Sequence, residues 1–481
     1  MILKRFYDDK LAQASWMIGC EAVKQALIVD PTRDTAFYLE AAKAEGLRIS
    51  HVTETHIHAD FVSGSRALAK AAGATLLLSA EGGEDWQYAF APEDGATLVR
   101  DGDSFFVGKV RFDVLHTPGH TPEHLSFLVT DTAAADLPVG ALTGDFVFVG
   151  DVGRPDLLEK AAGVAGTMEA GARTLFRALQ RFKAQPDWLQ LWPGHGAGSA
   201  CGKGLGAMPH TTLGYEKLFN WALRTSDEDA FAAEVLRHQP EPPAYFAHMK
   251  RINRGGPAPW TPGEVPEKLD AARLAEVLAA GALVVDTRGA DVYAAGYVPG
   301  TINVPLNRSF PTWAGSLIPF DQPFYLIAEP GRIAEAVRDL GLIGLERVAG
   351  WWEAGATKAW AAAGGRLGET PQLSTAELQW RRDFADVAVI DVRGHAEWEA
   401  GHLPGVPNIP LGALASRLAE VPRDRPVVVQ CQGGVRSAMA ASVLKAHGYT
   451  DVSNLTGGFA AWKAADLPVE TGEPAEALGA G

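Results

Sequence analysis

Cysteine is scarce in this sequence: only Cys20, Cys201 and Cys431 occur among 481 residues. Because three is a small and odd number, a disulfide framework is excluded, and the composition fits a reducing compartment. Each cysteine is therefore interpreted from its own surroundings. Cys20 lies inside an apolar run and is expected in the core, whereas Cys201 and Cys431 lie at glycine-rich loops.

Long apolar runs are also missing, and basic residues are outnumbered. No stretch approaches the about 18 uninterrupted apolar residues of a membrane-spanning helix. The N-terminus carries charged residues before any long apolar run, which argues against a secretory signal. Lys and Arg number 43 against 58 Asp and Glu, and the net charge of −15 disfavours nucleic acid and anionic membranes as partners. We therefore expect a cytoplasmic protein that acts on small molecules, and a homo-oligomer stays open.

An internal repeat organises the second half of the chain. The segment "LVVDTRGADVYAAGYVPGTINVPL" from Leu283 resembles "AVIDVRGHAEWEAGHLPGVPNIPL" from Ala388. Each copy continues with a short apolar run (324–328 and 427–430), a glycine-containing loop and an apolar helical pattern. This order predicts two α/β domains, each with alternating β and α units around a parallel sheet. The residues that recur 105 positions later are Asp286, Arg288, Gly296, Pro299, Gly300, Asn303 and Pro305.

The chain length predicts roughly three domains. A segment rich in Pro and Gly, 251–268, separates the repeat pair from everything before it. We predict a first domain at 1–245, a linker at 246–268, and repeat domains at 269–368 and 369–475.

The first domain carries four His- and Asp-rich stretches at the ends of apolar runs. They are "THIHAD", "HTPGHTPEH", "LTGDFVFVGDVGRPDL" and "WPGHGAGSACGKG". In α/β folds, sites are commonly built from such strand-end loops. Imidazole together with carboxylate suits zinc or non-haem iron. The four stretches therefore predict a metal site.

This ordered set resembles the metallo-β-lactamase fold, an αββα sandwich whose hydrolases hold two metals through an HxHxDH motif, a later His, an Asp and a final His. Phe61 occupies the last position of the first motif. A phenyl ring has no lone pair, so the second metal loses a ligand and a dinuclear hydrolase is disfavoured. The residues that match the pattern are His56, His58, Asp60, His120, Asp145 and His195.

A branch of that fold, the persulfide dioxygenases, binds one Fe(II), and the resemblance implies His56, His120 and Asp145 as its ligands. Two His and one carboxylate leave three positions open, enough for a persulfide and O2 together. Cys201 either approaches the metal pocket and meets sulfur substrates or is a buried small thiol. The resemblance makes the remaining polar residues of the site, His58, Asp60 and His195, groups that orient ligands or substrate.

Residues that flank these motifs are expected to support the site. We predict structural or ligand-orienting roles for His116 and His124, on either side of the His120 loop. Asp151, Arg154 and Asp156 could form a buried ion pair that fixes the loop of the "TGD" aspartate.

The second repeat copy contains a cysteine loop, "VVVQCQGGVRSAMAAS". Cys431 ends an apolar strand, two glycines follow, and a helix begins near Ser437. Backbone N–H groups and the helix N-terminus can stabilise a thiolate there, and Arg436 adds a full positive charge. Cys431 is therefore the candidate nucleophile of this domain.

Residues 372–470 resemble the rhodanese sulfurtransferases, whose active cysteine carries a sulfane sulfur as a persulfide. The four residues between Cys431 and Arg436 form a ring that suits one sulfur atom better than a phosphate. The first copy has Ala328 at the cysteine position, so we predict a rhodanese-like domain without transferase activity. The sulfur-binding loop comprises Gln432, Gly433, Gly434, Val435 and Ser437.

Together, these parts resemble the fused persulfide dioxygenase and rhodanese proteins of bacterial sulfide oxidation over nearly the whole chain. The resemblance implies one Fe(II) per chain that oxidises a low-molecular-weight persulfide, with glutathione persulfide as the first candidate, by O2 to sulfite and thiol. Cys431 would exchange sulfur with sulfite or thiosulfate, in a direction that the sequence does not give. Two alternatives stay open: a zinc-dependent thioester hydrolase of the glyoxalase II type fused to a sulfurtransferase, and a non-catalytic sulfur-carrier protein.

Overall fold

The computed structural model describes residues 1–157, 159, 166–261 and 264–472. The chain divides into two compact units: Met1–Pro262 with Gly341–Gly344, and Gly263–Leu340 with Leu345–Gly481. Residues 262–263 of the predicted linker and 473–475 of the last predicted domain lie outside the described residues.

The first unit contains two six-stranded sheets. The first sheet has the strand order β1-β2-β3-β4-β5-β6, and the second has the order β12-β11-β10-β9-β8-β7. The strands of the first sheet are β1 Ile2–Asp8, β2 Gln13–Cys20, β3 Gln25–Val29, β4 Arg48–Thr53, β5 Thr75–Ser79 and β6 Thr97–Val99. Those of the second are β7 Ser104–Val107, β8 Val110–His116, β9 Leu125–Asp131, β10 Gly140–Gly144, β11 Gln190–Pro193 and β12 Thr211–Thr212.

Both sheets are mixed. In the first, β1, β2 and β3 pair antiparallel, and β3 to β6 pair parallel. In the second, only β10 and β11 pair parallel. The parallel strands β4, β10 and β11 each end at one of the predicted metal loops, which places these loops at the carboxyl ends of their strands.

Three apolar clusters make the first unit a four-layer αββα sandwich. One cluster joins the inner faces of the two sheets, with Trp16 and Val29 on one side and Phe112, Phe127 and Leu142 on the other. A second lies between the first sheet and its helices. A third lies between the second sheet and its helices. Apolar faces on both sides of each sheet explain this layering.

The helices of this unit pack against the outer faces of its two sheets. The last of them, α7 at Phe246–Gly255, lies within the predicted linker and buries Phe246, Met249 and Asn253. The predicted domain boundaries remain predictions. The described helices are α1 Thr35–Ala44, α2 Ser65–Ala72, α3 Thr167–Phe182, α4 Leu213–Phe219, α5 Trp221–Arg224, α6 Glu228–Leu236 and α7 Phe246–Gly255.

The second unit contains two four-stranded sheets, one in each repeat copy. Their orders are β14-β13-β15-β16 and β17-β20-β19-β18, and all pairs within them are parallel. The strands are β13 Leu283–Asp286, β14 Ile302–Asn303, β15 Phe324–Ala328, β16 Val348–Glu353, β17 Gln372–Leu373, β18 Ala388–Asp391, β19 Val427–Gln430 and β20 Val452–Leu455.

Helices connect these parallel strands, as parallel pairing requires. They are α8 Arg273–Ala279, α9 Ala290–Ala295, α10 Phe310–Leu317, α11 Ile333–Leu342, α12 Ala356–Ala362, α13 Thr375–Phe384, α14 His395–Glu399, α15 Leu411–Leu414, α16 Val435–Ala446 and α17 Gly458–Ala464. Across the described residues of both units, no helix is both long and apolar enough to cross a membrane.

The recurring residues of the repeat have the same structural task in both copies. In the first, the Arg288 guanidinium donates to the Asp286 carboxylate, and the Asn303 amide donates to the carbonyls of both residues. The second copy repeats these bonds with its own Asp, Arg and Asn. These Asp, Arg and Asn residues therefore fix the loop that follows β13 in the first copy and β18 in the second.

Sheet register places Ala328 at the position of Cys431. Asp286 pairs with Ile327 across β13 and β15, and its repeat counterpart Asp391 pairs with Gln430 across β18 and β19. The next residue is Ala328 in one copy and Cys431 in the other. The first copy thus presents a methyl group where the second presents a thiol.

Candidate metal centre and sulfur-transfer loop

Three ligand atoms converge at the carboxyl ends of the strands of the first unit. One nitrogen each of His56 and His120 and one carboxylate oxygen of Asp145 lie within 4.8 Å of one another, and all three residues are buried. The Nε2 atoms of His56 and His120 lie 3.8 and 3.5 Å from Asp145 Oδ2. The loops that hold them follow β4, β8 and β10, so the fold and not sequence proximity brings them together.

Hydrogen bonds select the imidazole tautomer that leaves each Nε2 free. The Thr55 hydroxyl donates to Asp30 Oδ2, so it accepts from His56 Nδ1 at 2.9 Å. His120 Nδ1 donates to the Arg154 carbonyl at 3.0 Å. Burial, with the neighbouring imidazoles, lowers the pKa of His56 well below its ordinary value, and burial lowers the pKa of His120. Both imidazoles are therefore neutral, and each can offer the lone pair on its Nε2 atom to a metal.

The Asp145 carboxylate has one occupied and one free oxygen. Oδ1 accepts from His195 Nδ1 at 2.7 Å, whereas Oδ2 is buried without a hydrogen-bond partner. Burial opposes ionisation of this carboxyl, but the His195 side chain holds its pKa below the ordinary value. A buried, ionised oxygen without a partner is costly unless a cation takes it. This atom, with the two free Nε2 atoms, fits one divalent metal.

His195 is held between two carboxylates. Its Nδ1 bonds to Asp145 and its Nε2 to Asp60 Oδ2, both at 2.7 Å. Burial opposes protonation, but the Asp145 and Asp60 carboxylates raise the pKa of His195 well above its ordinary value. With both nitrogens engaged, His195 orients the Asp145 carboxylate and leaves no lone pair for a metal.

His58 points its Nε2 at a different carboxylate. This atom lies 3.1 Å from Asp30 Oδ1. Burial alone would lower the pKa of His58, but the Asp30 carboxylate, with other acidic neighbours, raises it to about 9. The Phe61 ring packs 4.5 Å from the His58 ring and is fully buried. At the later positions of the first motif, the structure thus has a protonated imidazole at His58 and a phenyl ring at Phe61.

Cys201 lies beside the later part of the first motif, near Asp60. Its sulfur lies within 4.8 Å of one ligand atom of Asp60 and one of His195, and the thiol is buried. Burial, and then the Asp145 and Asp60 carboxylates, raise the pKa of Cys201 well above its ordinary value. The structure places Cys201 near Asp60 and His195 and buries its thiol, so both alternatives from the sequence remain open.

Residues that flank the metal loops form hydrogen bonds and one ion pair around them. His124 Nδ1 bonds to Thr117, so its Nε2 accepts the backbone N–H of Asp145 at 3.1 Å. Arg154 forms a buried ion pair with Asp156 at 2.7 Å. Asp151 does not join that pair: its carboxylate accepts the backbone N–H groups of 203 and 204 and the indole N–H of Trp221. His116 is partly exposed, and its Nε2 donates to the Pro122 carbonyl.

Asn253 is a supporting residue that sequence reasoning missed. Its amide donates to the His58 and Phe61 carbonyls at 2.8 and 2.7 Å, and its carbonyl accepts the Ser63 N–H at 2.9 Å. It lies on α7, about 190 residues after this loop and inside the predicted linker. The Asn-Arg-Gly-Gly sequence at this point indicated a linker, and the contact between Asn253 and the His58–Ser63 loop is visible only in the structure.

We expect Asn253→Ala to weaken both folding and metal binding. The change leaves two carbonyls and one N–H of the His58–Ser63 loop buried without partners, at about 1–3 kcal/mol each. The free energy of unfolding should fall by about 3 kcal/mol and metal affinity by about tenfold, measured by urea unfolding and chelator competition. Arg251→Ala on the exposed side of the same helix is the control; equal effects of both variants would refute the assignment.

The cysteine loop of the second unit surrounds its sulfur with donors. Cys431 is 1 % exposed, and its Sγ accepts the Gly434 N–H at 3.1 Å and the Ser437 hydroxyl at 3.3 Å. Gly434 has φ +99°, a conformation that other residues rarely adopt, and it precedes the first turn of α16. The loop therefore turns its N–H groups and a helix N-terminus toward the sulfur.

Two further contacts fix this loop. Arg436 pairs through both terminal nitrogens with Glu397, at 2.6 and 2.8 Å. Burial lowers the pKa of Arg436, but the Glu397 carboxylate more than offsets this and raises it. The Cys431 carbonyl accepts the Phe459 N–H at 2.7 Å. A Cβ on Gly458 would lie 2.0 Å from that carbonyl, which explains the glycine. The sequence did not identify Glu397.

Comparisons with known proteins match a family to each of the two parts that carry these residues. A family model described as Metallo-beta-lactamase superfamily matches residues 8–195, and one described as Rhodanese-like domain matches residues 374–465. A solved metallo-beta-lactamase structure from Staphylococcus aureus subsp. aureus COL is 41% identical, with a TM-score of 0.67, and the match covers 73% of this chain and 99% of that one. Because the first unit is little more than half of the chain, this match continues into the second unit.

Two curated relatives carry names that correspond to the two parts of the chain. A sulfurtransferase of Allochromatium vinosum is 39% identical over 18% of this chain and 81% of its own length. The mitochondrial persulfide dioxygenase ETHE1 of Bos taurus is 26% identical over 40% of this chain and 68% of its own length. Other curated relatives are matched over about half of their own length. The predicted combination of domain types is therefore confirmed, and the rhodanese model matches one repeat copy.

Proposed function

The chain belongs to the metallo-beta-lactamase superfamily and carries a C-terminal rhodanese-like domain, and from this premise we propose that it oxidises a low-molecular-weight persulfide at one Fe(II) and transfers sulfane sulfur at Cys431. The observation that carries the proposal is the convergence of three buried ligand atoms on His56, His120 and Asp145, where Asp145 Oδ2 has no hydrogen-bond partner.

The surrounding residues favour one metal over two. A second metal of the hydrolase type would need a ligand at Phe61 and a lone pair on His195. Phe61 offers none, and both nitrogens of His195 are bonded to carboxylates. A bridging hydroxide between two metals is therefore hard to build here.

Fe(II) at this site would supply a redox centre with open positions for persulfide and O2. The overall reaction is RSSH + O2 + H2O → RSH + H2SO3, in which the terminal sulfur loses four electrons and O2 gains four. The chain's own part is to keep both imidazoles neutral, to orient the Asp145 carboxylate through His195, and to bury the ligand set. The bovine relative, named a persulfide dioxygenase, supports this assignment, with glutathione persulfide as the proposed substrate.

In the C-terminal domain, Cys431 would carry the sulfane sulfur. Its persulfide can give the outer sulfur to sulfite, which forms thiosulfate and returns the electron pair to Cys431, or the reverse can load it. The sulfurtransferase relative supports this step. We propose that the first repeat copy is a rhodanese-like domain that cannot perform it, because Ala328 has no thiol. The three unpaired cysteines support a reducing, cytoplasmic location.

The proposal is tested by anaerobic purification, metal analysis and an oxygen electrode with glutathione persulfide. We expect one iron per chain and O2 uptake equal to the sulfite formed. Stoichiometric zinc with thioester hydrolysis would instead support the glyoxalase II type of enzyme. Iron-loaded protein that consumes no O2 would overturn the dioxygenase assignment.

A further inference from the structure

A cleft of about 430 Å³ lies in the second unit between the two repeat copies. One wall comes from loops of the cysteine-free copy, including Arg288, Glu329 and Arg332. The other wall comes from the active copy, including Gly434 and Asn454. The volume is within the range of sites for small molecules.

The active wall is continuous with the sulfur loop. Gly434 donates its N–H to Cys431 Sγ and also lines the cleft. Gly433 and Gly434, which lie between the cysteine and α16, line this space together with Val435, the first residue of that helix. A molecule in the cleft therefore contacts the loop that holds the sulfur.

An unpartnered buried atom at the cleft points to a ligand. Asn454 is 3 % exposed, and its amide nitrogen donates to the Gly434 carbonyl and to Gln372 Oε1. Its carbonyl oxygen is buried and has no hydrogen-bond partner. A buried acceptor of this kind is normally satisfied, so an N–H donor of a bound molecule would complete it.

The cysteine-free wall carries both signs of charge. The Arg332 side chain is 43 % exposed, and Glu335 holds its guanidinium at 2.8 and 2.9 Å. The acidic residues Asp291 and Glu329 line the same wall. A guanidinium suits a carboxylate, and carboxylates suit an ammonium group. The wall therefore fits a molecule that has both.

We propose that this cleft binds the thiol that exchanges sulfur with Cys431, and that this thiol is a zwitterionic molecule of peptide size. The inference rests on the proposed sulfurtransferase function and gives the cysteine-free copy a task, which is recognition of the acceptor. The acceptor thiolate attacks the outer sulfur of the Cys431 persulfide. The S–S bond of the enzyme breaks, its electron pair returns to Cys431 Sγ, a new S–S bond forms on the acceptor, and the thiol proton goes to solvent.

Arg332→Ala and Arg332→Glu test the proposal in the full-length protein with thiosulfate as donor. We expect Arg332→Ala to lower the ratio of kcat/KM for glutathione to kcat/KM for cyanide about tenfold, mostly through KM, since one charge-assisted contact is lost. Arg332→Glu should shift the preference from mercaptoacetate toward cysteamine, because the sign of the charge is reversed. Arg425→Ala, before β19 and paired with Asp386, is the control at the opposite end of the sheet.

Unchanged acceptor ratios in both Arg332 variants, in protein that transfers sulfur to cyanide, would overturn the cleft assignment and leave the proposed sulfurtransferase in place. Wild-type protein that transfers no sulfur even to cyanide would overturn both. A shift of the same size in Arg425→Ala would also overturn the assignment, because it would show a general effect of lost surface charge.

Discussion

Replacing Cys431 with Ser is expected to abolish thiosulfate:cyanide sulfurtransfer, with a fall of about 10³-fold or more. The hydroxyl cannot carry a sulfane sulfur, and a thiol is the only group in this loop able to form a persulfide. The Gly434 and Ser437 donors at 3.1 and 3.3 Å are placed around this one atom. The first repeat copy cannot substitute, because Ala328 stands at the matching position.

The same variant should keep its metal and its O2 uptake, since the ligand set lies in the other unit. Sulfurtransfer is measured by thiocyanate formation, and O2 uptake by an electrode on the same preparation. Cys20→Ser is the matched control, because Cys20 is buried in the core of the first unit and accepts the Lys109 N–H there. Sulfurtransfer that survives in Cys431→Ser would show that the wrong cysteine had been assigned.

Much of the second unit could be predicted because its signals are local. The apolar runs 324–328 and 427–430 are the strands β15 and β19 residue for residue. A short apolar run before a glycine-containing loop predicts a buried parallel strand without help from distant residues. The repeat then aligned the two copies, and the sheet register gives the same alignment of Ala328 with Cys431.

Residues that act over long sequence distances could not be predicted in the same way. Asn253 bonds to the loop of the first motif from a segment whose composition indicated a linker. Glu397 bonds to Arg436, which lies 39 residues later in the sequence. Asp30 is an isolated aspartate in the sequence, yet it bonds to Thr55 and His58. Single carboxylates and amides carry no periodic or motif signal, so their partners are decided by the tertiary fold.

The first motif, "THIHAD" with the Phe61 that follows it, shows the same division between local and long-range information. The sequence showed that Phe61 breaks the two-metal pattern. It did not show that His58 is bonded to Asp30 or that His195 lies between Asp60 and Asp145. Both facts favour one metal for a reason separate from Phe61. They also give His58, Asp60 and His195 a role as hydrogen-bonding partners in a site that holds one ion.

Asp145→Asn should remove most of the metal, with a fall in affinity of about 100-fold or more. Asp145 supplies one oxygen to the proposed metal and the other to His195. An amide has one oxygen, so either the metal or His195 loses its partner. Loss of an orienting partner alone costs a metal site about 10- to 100-fold, and loss of the negative charge adds to it. Metal content is measured after dialysis against a graded series of chelator concentrations.

Two comparisons separate a lost ligand from a damaged fold. Asp113→Asn changes a partly buried carboxylate on β8 that pairs with Arg111, and it should keep its metal. Sulfurtransfer at Cys431 should also be unchanged in Asp145→Asn, because the donors to that sulfur all come from its own domain. Wild-type metal affinity in Asp145→Asn would exclude Asp145 as a ligand. Because Asp145 Oδ2 is the only one of the three proposed ligand atoms that carries charge, the site would then have to be sought elsewhere in the pocket.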